Sequence, residues 1–312
     1  MNGAVPFRVT HATGSAEVEW ILSAGARFTE PFFEDTVRRL VRENPANAQA
    51  RRMRTSLDAL RLVPVRPPPA AIILHVSRCG STLVSRMLTA LPRNIVASEP
   101  PIVDDILRAA RRDESVTDDD RIAWLRGAVH ALGQPNNHGG ERLFLKLDAW
   151  HIFELPLIRR AFPDVPVIYI HRDPLEVLAS LLRRPSLTLV RGTVTPHQLG
   201  LTTAQRDALT PEEHAAAILG AFFRTATTHA DSLVPFAYVD LPDIVWNAMP
   251  DCTFTAEERA LLKAAAAFSA KNPAERFVPD SAEKRRSAPP GLQAAVERWA
   301  RPAYSLWRQA VR

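Results

Sequence analysis

Cysteine is scarce in this sequence, and its scarcity excludes several classes of protein. Only Cys79 and Cys252 occur among 312 residues, so the chain has neither a disulfide framework nor the paired spacing of a zinc site. A cysteine phosphatase needs an arginine six residues after its cysteine, but Arg86 lies seven residues after Cys79. The sequence therefore predicts neither thiol chemistry nor a metal ion.

Long apolar runs are also missing. No run approaches the ~20 residues that a membrane-spanning helix needs. The N-terminus lacks the charged segment followed by an apolar segment that is typical of a secretory signal. These absences predict a cytoplasmic protein without a membrane span.

Lysine is nearly absent, since it supplies four of the 39 basic residues, and the net charge is +5. No arginine-rich stripe alternates with aromatic residues, and no zinc-finger or RNA-recognition signature occurs. A nucleic-acid partner is therefore not predicted. The basic excess suits a small polyanionic ligand just as well.

The length and the apolar content predict the fold class. The 312 residues, 46% of them hydrophobic, suffice for one large α/β domain or two small ones. Residues 1–70, which end in the RPPP segment, predict an N-terminal extension packed on a main domain at 71–312. Strands are predicted at 71–77, 95–97, 142–147, 166–171 and 235–239, with helices between them, and residues 185–210 form a long irregular candidate lid. This order predicts a doubly wound, mostly parallel sheet with ligands beyond the carboxyl ends of its strands.

Residues 71–88, AIILHVSRCGSTLVSRML, combine an apolar strand, a tight turn at Gly80 and a segment with helical spacing. The N–H groups of a glycine turn that opens a helix bind oxyanions. A loop for nucleoside triphosphates requires G-x-x-x-x-G-K-[ST], but here Ser81 follows Gly80, and His75 replaces the first glycine. The cation is Arg78 instead. The sequence therefore predicts an anionic, nucleotide-like ligand other than Mg-ATP or Mg-GTP.

Residues 166–182, VPVIYIHRDPLEVLASL, repeat the strand–turn–helix pattern. Arg172 ends the strand, and Ser180 lies eight residues later on the following helix. The two side chains can converge on one phosphate, for which the planar guanidinium is well suited. Asp173 and Pro174 are predicted as the N-cap and the first residue of that helix.

Together the two segments resemble the sulfotransferase family, which uses 3′-phosphoadenosine-5′-phosphosulfate as its donor. The loop resembles the family's 5′-phosphosulfate site, the second segment resembles its 3′-phosphate site, and residues 277–289 resemble the late basic loop that closes over the 3′-phosphate. The resemblance spans roughly residues 71–312 and implies a bacterial sulfotransferase with a P-loop-type fold and no metal. The residues that it assigns to binding of the donor are Arg78, Cys79, Gly80, Ser81, Thr82, Arg172, Ser180, Lys284 and Arg285.

The resemblance also implies a general base that accepts the proton of the attacking hydroxyl. Glu99, about twenty residues beyond Arg78, resembles the acidic bases of tyrosylprotein and several carbohydrate sulfotransferases. Cytosolic sulfotransferases have Lys-Thr-His where this chain has Lys146, Leu147 and Asp148, so their histidine base is missing. A carboxylate base is favoured, with Asp148 as the alternative to Glu99. Lys146 is a candidate contact of the leaving phosphate, and Arg78 of the transferring group.

The implied reaction moves a sulfuryl group to a hydroxyl, less often an amine, of a small-molecule, carbohydrate, peptide or lipid acceptor. Two alternatives stay open. The first is a P-loop phosphotransferase that uses ATP, which the missing lysine after Gly80 and the Arg172–Ser180 pair disfavour. The second is a non-catalytic member of the same fold that binds a nucleotide or a protein.

Overall fold

Strands and helices alternate from residue 71 onward in this computed structural model, which describes residues 3–12, 15–135, 137, 139–250, 252–268 and 281–312. The strands are β1 Ala4–Ala12, β2 Ser15–Leu22, β3 Arg54–Ser56, β4 Ala71–His75, β5 Asn94–Ser98, β6 Arg142–Lys146, β7 Val167–His171 and β8 Val234–Ala237. The α-helices are α1 Phe33–Glu43, α2 Ser81–Thr89, α3 Pro101–Leu107, α4 Asp118–Leu132, α5 Leu155–Ala161, α6 Pro174–Arg183, α7 Pro196–Leu199, α8 Thr203–Asp207, α9 Pro211–Thr228, α10 Asp243–Ala248, α11 Ala256–Ala266, α12 Ser281–Arg286, α13 Pro290–Ala295 and α14 Arg301–Ala310. Among these residues no helix is long and apolar enough to cross a membrane.

The central sheet has five strands in the order β5–β6–β4–β7–β8, and every neighbouring pair is parallel. All residues of β4, β5 and β7 are buried. Such unbroken burial is typical of parallel strands that helices cover on both faces. The predicted α/β fold, a doubly wound and mostly parallel sheet flanked by helices, is confirmed.

The five predicted strands are all present, with ends that differ by at most two residues. The first ends at His75 rather than at residue 77. The reason is local, because Ser77 and Arg78 have φ angles of 64° and 47°, which no strand tolerates. The strand therefore turns sharply before the helix that Gly80 precedes.

The connections position the site at the carboxyl ends of the strands. From β4 the chain first forms β5 and β6 on one side of it, and then crosses to form β7 and β8 on the other side. The direction of winding thus reverses at β4, and open α/β sheets bind their ligands at such a switch point. Both predicted phosphate segments lie there, since His75 pairs with Ile170.

The N-terminal block contains a second, antiparallel sheet in the order β1–β2–β3, which the sequence analysis did not identify. It packs on the rest of the chain, where the Val9 N–H donates to the Asp105 carboxylate of α3 at 2.8 Å. The apolar core is continuous from this sheet into the central one, through residues such as Trp20 and Ile72. The division of the chain at residue 70 stays a prediction.

The prediction that residues 185–210 are irregular is wrong. This segment contains a 3₁₀ turn, Leu187–Leu189, followed by α7 and α8. Capping boxes begin both helices, because Thr195 and Thr202 each accept the N–H of a glutamine three residues later. The sequence carried this signal as two T-x-x-Q patterns, which give short helices rather than a loop.

Candidate functional site

The turn between β4 and α2 is built from residues with left-handed backbone. Ser77, Arg78 and Gly80 have φ angles of 64°, 47° and 90°. The Ser77 N–H donates to Nδ1 of His75 at 2.9 Å, and the Leu83 N–H donates to the Gly80 carbonyl at 2.9 Å, which holds the turn from both ends. The first N–H groups of α2, starting at Ser81 and Thr82, have no carbonyl partner within the helix and suit an anion.

Gly80 is required in this turn for two reasons. Its φ of 90° disfavours any side chain, and a Cβ there would lie 2.7 Å from Cδ1 of Leu241 and 3.1 Å from Cδ2 of Tyr238. Gly80→Ala is expected to lower the free energy of unfolding. A left-handed backbone at a residue with a side chain costs about 1–2 kcal/mol, and the close contacts add to this loss. Urea denaturation measures the loss.

Gly192→Ala is the matched control for that variant. Gly192 has a φ of 98°, and no atom of the described residues lies within 4 Å of the Cβ that would be added. Gly192→Ala is expected to lower the free energy of unfolding only by the cost of the left-handed backbone. Equal losses in the two variants would contradict the close packing of Leu241 and Tyr238 against the Gly80 turn.

Two side chains of this turn differ in what they offer a ligand. Nη2 of Arg78 donates to the Arg184 carbonyl at 2.5 Å, while its buried Nε has no hydrogen-bond partner among the described residues. Cys79 instead points into the core, where its thiol donates to the Ile170 carbonyl at 3.2 Å. Burial raises the pKa of the Cys79 thiol to about 11, so only the backbone of Cys79 is suited to contact an anion. The orphaned Arg78 donor and the crowded Gly80 turn fit the phosphosulfate that the sequence analysis implied.

The second phosphate segment begins α6 as predicted. The Asp173 side chain accepts the Leu175 N–H at 2.9 Å, and Pro174 is the first helical residue, which confirms the predicted cap. Arg172 precedes it and is only 4% exposed. Its guanidinium lies 3.7 Å from the centre of the Tyr238 ring, which also borders the Gly80 turn.

A buried carboxylate, Glu176, connects this segment with α12. Its Oε2 accepts from Nε of Arg172 at 2.6 Å and from the Ser281 hydroxyl at 2.7 Å, while Nη2 of Arg285 lies 2.7 Å from its Oε1. The structure therefore brings the predicted Arg172 and Arg285 together. Lys284 is buried on the same helix, and Ser180 lies half-buried on α6.

The remaining predicted residues meet at the ends of β4, β5 and β6. Nζ of Lys146 lies 2.8 Å from Oε1 of Glu99, and Nε2 of His75 lies 3.2 Å from the same oxygen. The backbone supports this arrangement, since the Glu99 N–H donates to the Lys146 carbonyl at 2.7 Å. Lys146 is fully buried, and its ammonium lies 5.0 Å from the centre of the Phe32 ring. The N-terminal block thus contributes directly to this site.

The protonation state of Glu99 follows from its partners. Burial alone would raise its pKa, but the charge of Lys146 and the hydrogen bond from His75 lower the pKa of Glu99 to about 2. Burial lowers the pKa of His75, which is therefore neutral at pH 7. Because its Nδ1 accepts the Ser77 N–H, Nε2 of His75 carries the proton and donates to Glu99. Glu99 is thus an ionised carboxylate at pH 7.

A second polar cluster lies beside this one. Oδ1 of Asp104 accepts from Nε1 of Trp150 at 2.6 Å and from Nε2 of His151 at 2.8 Å, and Nε of Arg108 lies 2.8 Å from it. The ligand atoms of Asp104, Asp148 and His151 lie within 4.8 Å of one another. We assign no metal to them, because Oδ1 of Asp104 already accepts hydrogen bonds from Trp150 and His151.

Sequence reasoning missed several members of the site. Glu176 follows Arg172 by four residues, a spacing that pairs charges on a helix and could have been recognised. The contacts of His75 with Glu99 and of Phe32 with Lys146 join distant parts of the chain, and the sequence carries no local signal for them.

Comparisons with known proteins show the family that the sequence resembles. A family model described as the sulfotransferase family matches residues 69–241, more than half of the chain. No curated protein matches the chain. The sulfotransferase domain of the Synechococcus PCC 7002 olefin synthase is 16% identical, with 78% of this chain and 94% of that chain covered and a TM-score of 0.42. A sulfotransferase of Mycobacterium avium is 15% identical, with 88% and 80% covered and a TM-score of 0.46, and one of Alicyclobacillus acidocaldarius is 16% identical, with 78% and 99% covered and a TM-score of 0.38.

Proposed function

The chain belongs to the sulfotransferase family, and on that premise we propose that it moves a sulfuryl group from 3′-phosphoadenosine-5′-phosphosulfate to an acceptor hydroxyl. One observation carries the choice of donor. Two cationic sites, one at Arg78 and one at Arg172 and Arg285, follow the adjacent strands β4 and β7. A donor with a 5′-phosphosulfate and a separate 3′-phosphate matches two such sites.

The 5′-phosphosulfate is assigned to the turn that begins α2. Arg78 and the backbone N–H groups of Gly80, Ser81 and Thr82 would hold it, because these groups combine a charge with the positive end of a helix. The close contact of Leu241 and Tyr238 with Gly80 keeps the turn in one shape. Such preorganised donors stabilise developing negative charge without reorganisation.

The 3′-phosphate is assigned to the segment around α6. Arg172, Ser180, Lys284 and Arg285 would hold it, and the Tyr238 ring under Arg172 limits the movement of the guanidinium. Glu176 offsets part of the local positive charge, since it is paired with both arginines. The two arginines can therefore bind a phosphate dianion. In the ligand-free protein, Glu176 compensates part of their positive charge.

The role of general base is assigned to Glu99. The bound donor would supply the sulfuryl group, and adenosine 3′,5′-bisphosphate would be the leaving group. Glu99 accepts the proton of the attacking hydroxyl, and Lys146 lies next to it to stabilise negative charge. Lys146 lowers the pKa of Glu99, so a contact of its ammonium with the leaving phosphate would weaken this pairing and make Glu99 a stronger base.

Nucleotide selectivity tests the donor. Adenosine 3′,5′-bisphosphate is expected to stabilise the fold by about 2.7 kcal/mol at a hundred times its dissociation constant, because it binds only the folded state. Adenosine 5′-phosphate, which lacks the 3′-phosphate, is the matched control ligand and is expected to stabilise much less. Thermal unfolding with each ligand, and with ATP and GTP, measures the difference. Equal stabilisation by ATP would favour a phosphotransferase, and no stabilisation by any ligand would overturn the donor.

A further inference from the structure

Asp148 occupies a capping position that it does not use. It directly precedes the 3₁₀ turn Ala149–Glu154, where an aspartate side chain ordinarily accepts an N–H of the first turn. Its side chain makes no such bond, and none of the described residues donates a hydrogen bond to it or forms an ion pair with it. The half-buried carboxyl therefore has no hydrogen bond or ion pair within the described part of the chain.

The donors near Asp148 are engaged elsewhere. Nε2 of His151 is bonded to Asp104, and the Lys146 ammonium is paired with Glu99. A half-buried carboxyl without a partner is costly, so natural sites supply one from water or from a ligand. Water or a ligand can therefore supply a hydrogen-bond partner to this half-buried carboxyl.

Charge around Asp148 favours an uncharged hydrogen-bonding partner. Burial raises the pKa of Asp148 to about 7, His151 opposes this, Glu99 and Asp104 add to it, and Lys146 opposes it weakly. Near neutral pH this carboxyl is only partly ionised, so it is a weaker counter-ion than an exposed aspartate. A hydroxyl can donate a hydrogen bond to this carboxyl, and the bond becomes stronger as the carboxyl ionises.

The position of Asp148 relative to Glu99 indicates which ligand carries that hydroxyl. Ser98 pairs with Lys146 across β5 and β6, and the two carboxylates follow these paired residues at the same edge of the sheet. We propose that Asp148 is an acceptor-binding residue, which receives the hydrogen bond of a second hydroxyl beside the one that reacts at Glu99. This inference rests on the proposed function, and it names polyhydroxylated acceptors, in which two hydroxyls are adjacent, as the substrate class.

Binding of catechol and phenol, which differ by one adjacent hydroxyl, tests the proposal on the full chain without any donor. Catechol is expected to bind about ten- to a hundred-fold more tightly, the value of a hydrogen bond to a charged group. Asp148→Asn is expected to lose that preference. Asp164→Asn, which changes an exposed aspartate in the turn before β7, is the matched control and is expected to keep it. Ligand-detected NMR titration measures the dissociation constants.

A pH series separates this role from a structural one. The catechol affinity of the wild-type protein is expected to rise through pH 7 as Asp148 ionises, while that of Asp148→Asn stays flat. Equal binding of catechol and phenol by the wild-type protein would overturn the proposal, as would an unchanged preference in a folded Asp148→Asn variant. The donor assignment fails on different evidence, namely the absence of stabilisation by adenosine 3′,5′-bisphosphate.

Discussion

Glu99→Gln is expected to lower the turnover of sulfuryl transfer about 10²–10⁴-fold, the usual contribution of general base catalysis. The amide keeps the size and polarity of the side chain but does not take up the acceptor proton. Affinity for adenosine 3′,5′-bisphosphate is expected to stay near the wild-type value, because Glu99 is assigned to the acceptor. Steady-state turnover with catechol as acceptor and calorimetry with the bisphosphate measure the two effects.

Two variants serve as comparisons for this loss. Asp148→Asn is expected to raise the KM for catechol more than it lowers kcat, since the residue is assigned to binding. Asp164→Asn, at an exposed position, is expected to leave both constants unchanged. Wild-type turnover in Glu99→Gln would contradict the assignment and move the base to Asp148.

Glu99→Gln is also expected to destabilise the fold, which affects the comparison of turnover. Lys146 is fully buried, and Glu99 is its counter-charge at 2.8 Å. A buried charge that loses its partner destabilises a protein by several kcal/mol in the general case. Glu99 is itself 20% exposed, so solvent screens part of this loss. Turnover should therefore be compared at a temperature at which unfolding curves show both proteins folded.

The central sheet was predictable because of how parallel strands are buried. Each one is covered on both faces, so its sequence is a short unbroken apolar run, such as the AIILH of β4. Glycine and proline mark the turns that bound these runs. Only the strand ends were displaced, where side chains such as that of His75 form local hydrogen bonds with the turn.

The N-terminal sheet was not predictable in the same way. Its strand β3 has only three residues and is held by distant charges, since Glu19 pairs with Arg52 and Arg54 across more than thirty residues. Glu19 is 1% exposed and lies between Val18 and Trp20, which are also buried. Buried charges of this kind depend on tertiary pairing, which a reading of local composition does not detect.

The candidate site shows the same division between local and distant signals. The Gly80 turn and the cap of α6 follow from residue types that are adjacent in sequence, and both were recognised. Glu99 and Lys146 were each named as candidates, but their ion pair joins the ends of two strands. The pairing changes the chemistry, because it lowers the pKa of Glu99 and links the base to the charge of Lys146.

Arg78→Ala is expected to weaken binding of 3′-phosphoadenosine-5′-phosphosulfate about ten- to a hundred-fold. The variant removes a charge-assisted contact, which contributes about 1.5–3 kcal/mol, and each tenfold change in affinity corresponds to ~1.4 kcal/mol. In the free protein Arg78 bonds only the Arg184 carbonyl among the described residues, and its buried Nε has no partner. These donors are therefore available to a ligand at the adjoining turn that is assigned to the phosphosulfate. Calorimetric titration measures the affinity.

Two arginine variants separate charge from geometry at this position. Arg78→Lys is expected to recover part of the affinity, because the charge remains while the planar guanidinium is lost. Arg66→Ala, which changes an exposed arginine before the amino end of β4, is the matched control and is expected to bind as the wild-type protein does. A surface arginine that only decorates a turn changes stability by less than about 0.5 kcal/mol and leaves binding intact. Wild-type affinity in Arg78→Ala would therefore remove Arg78 from the site and leave the N–H groups of the Gly80 turn to bind the anion alone.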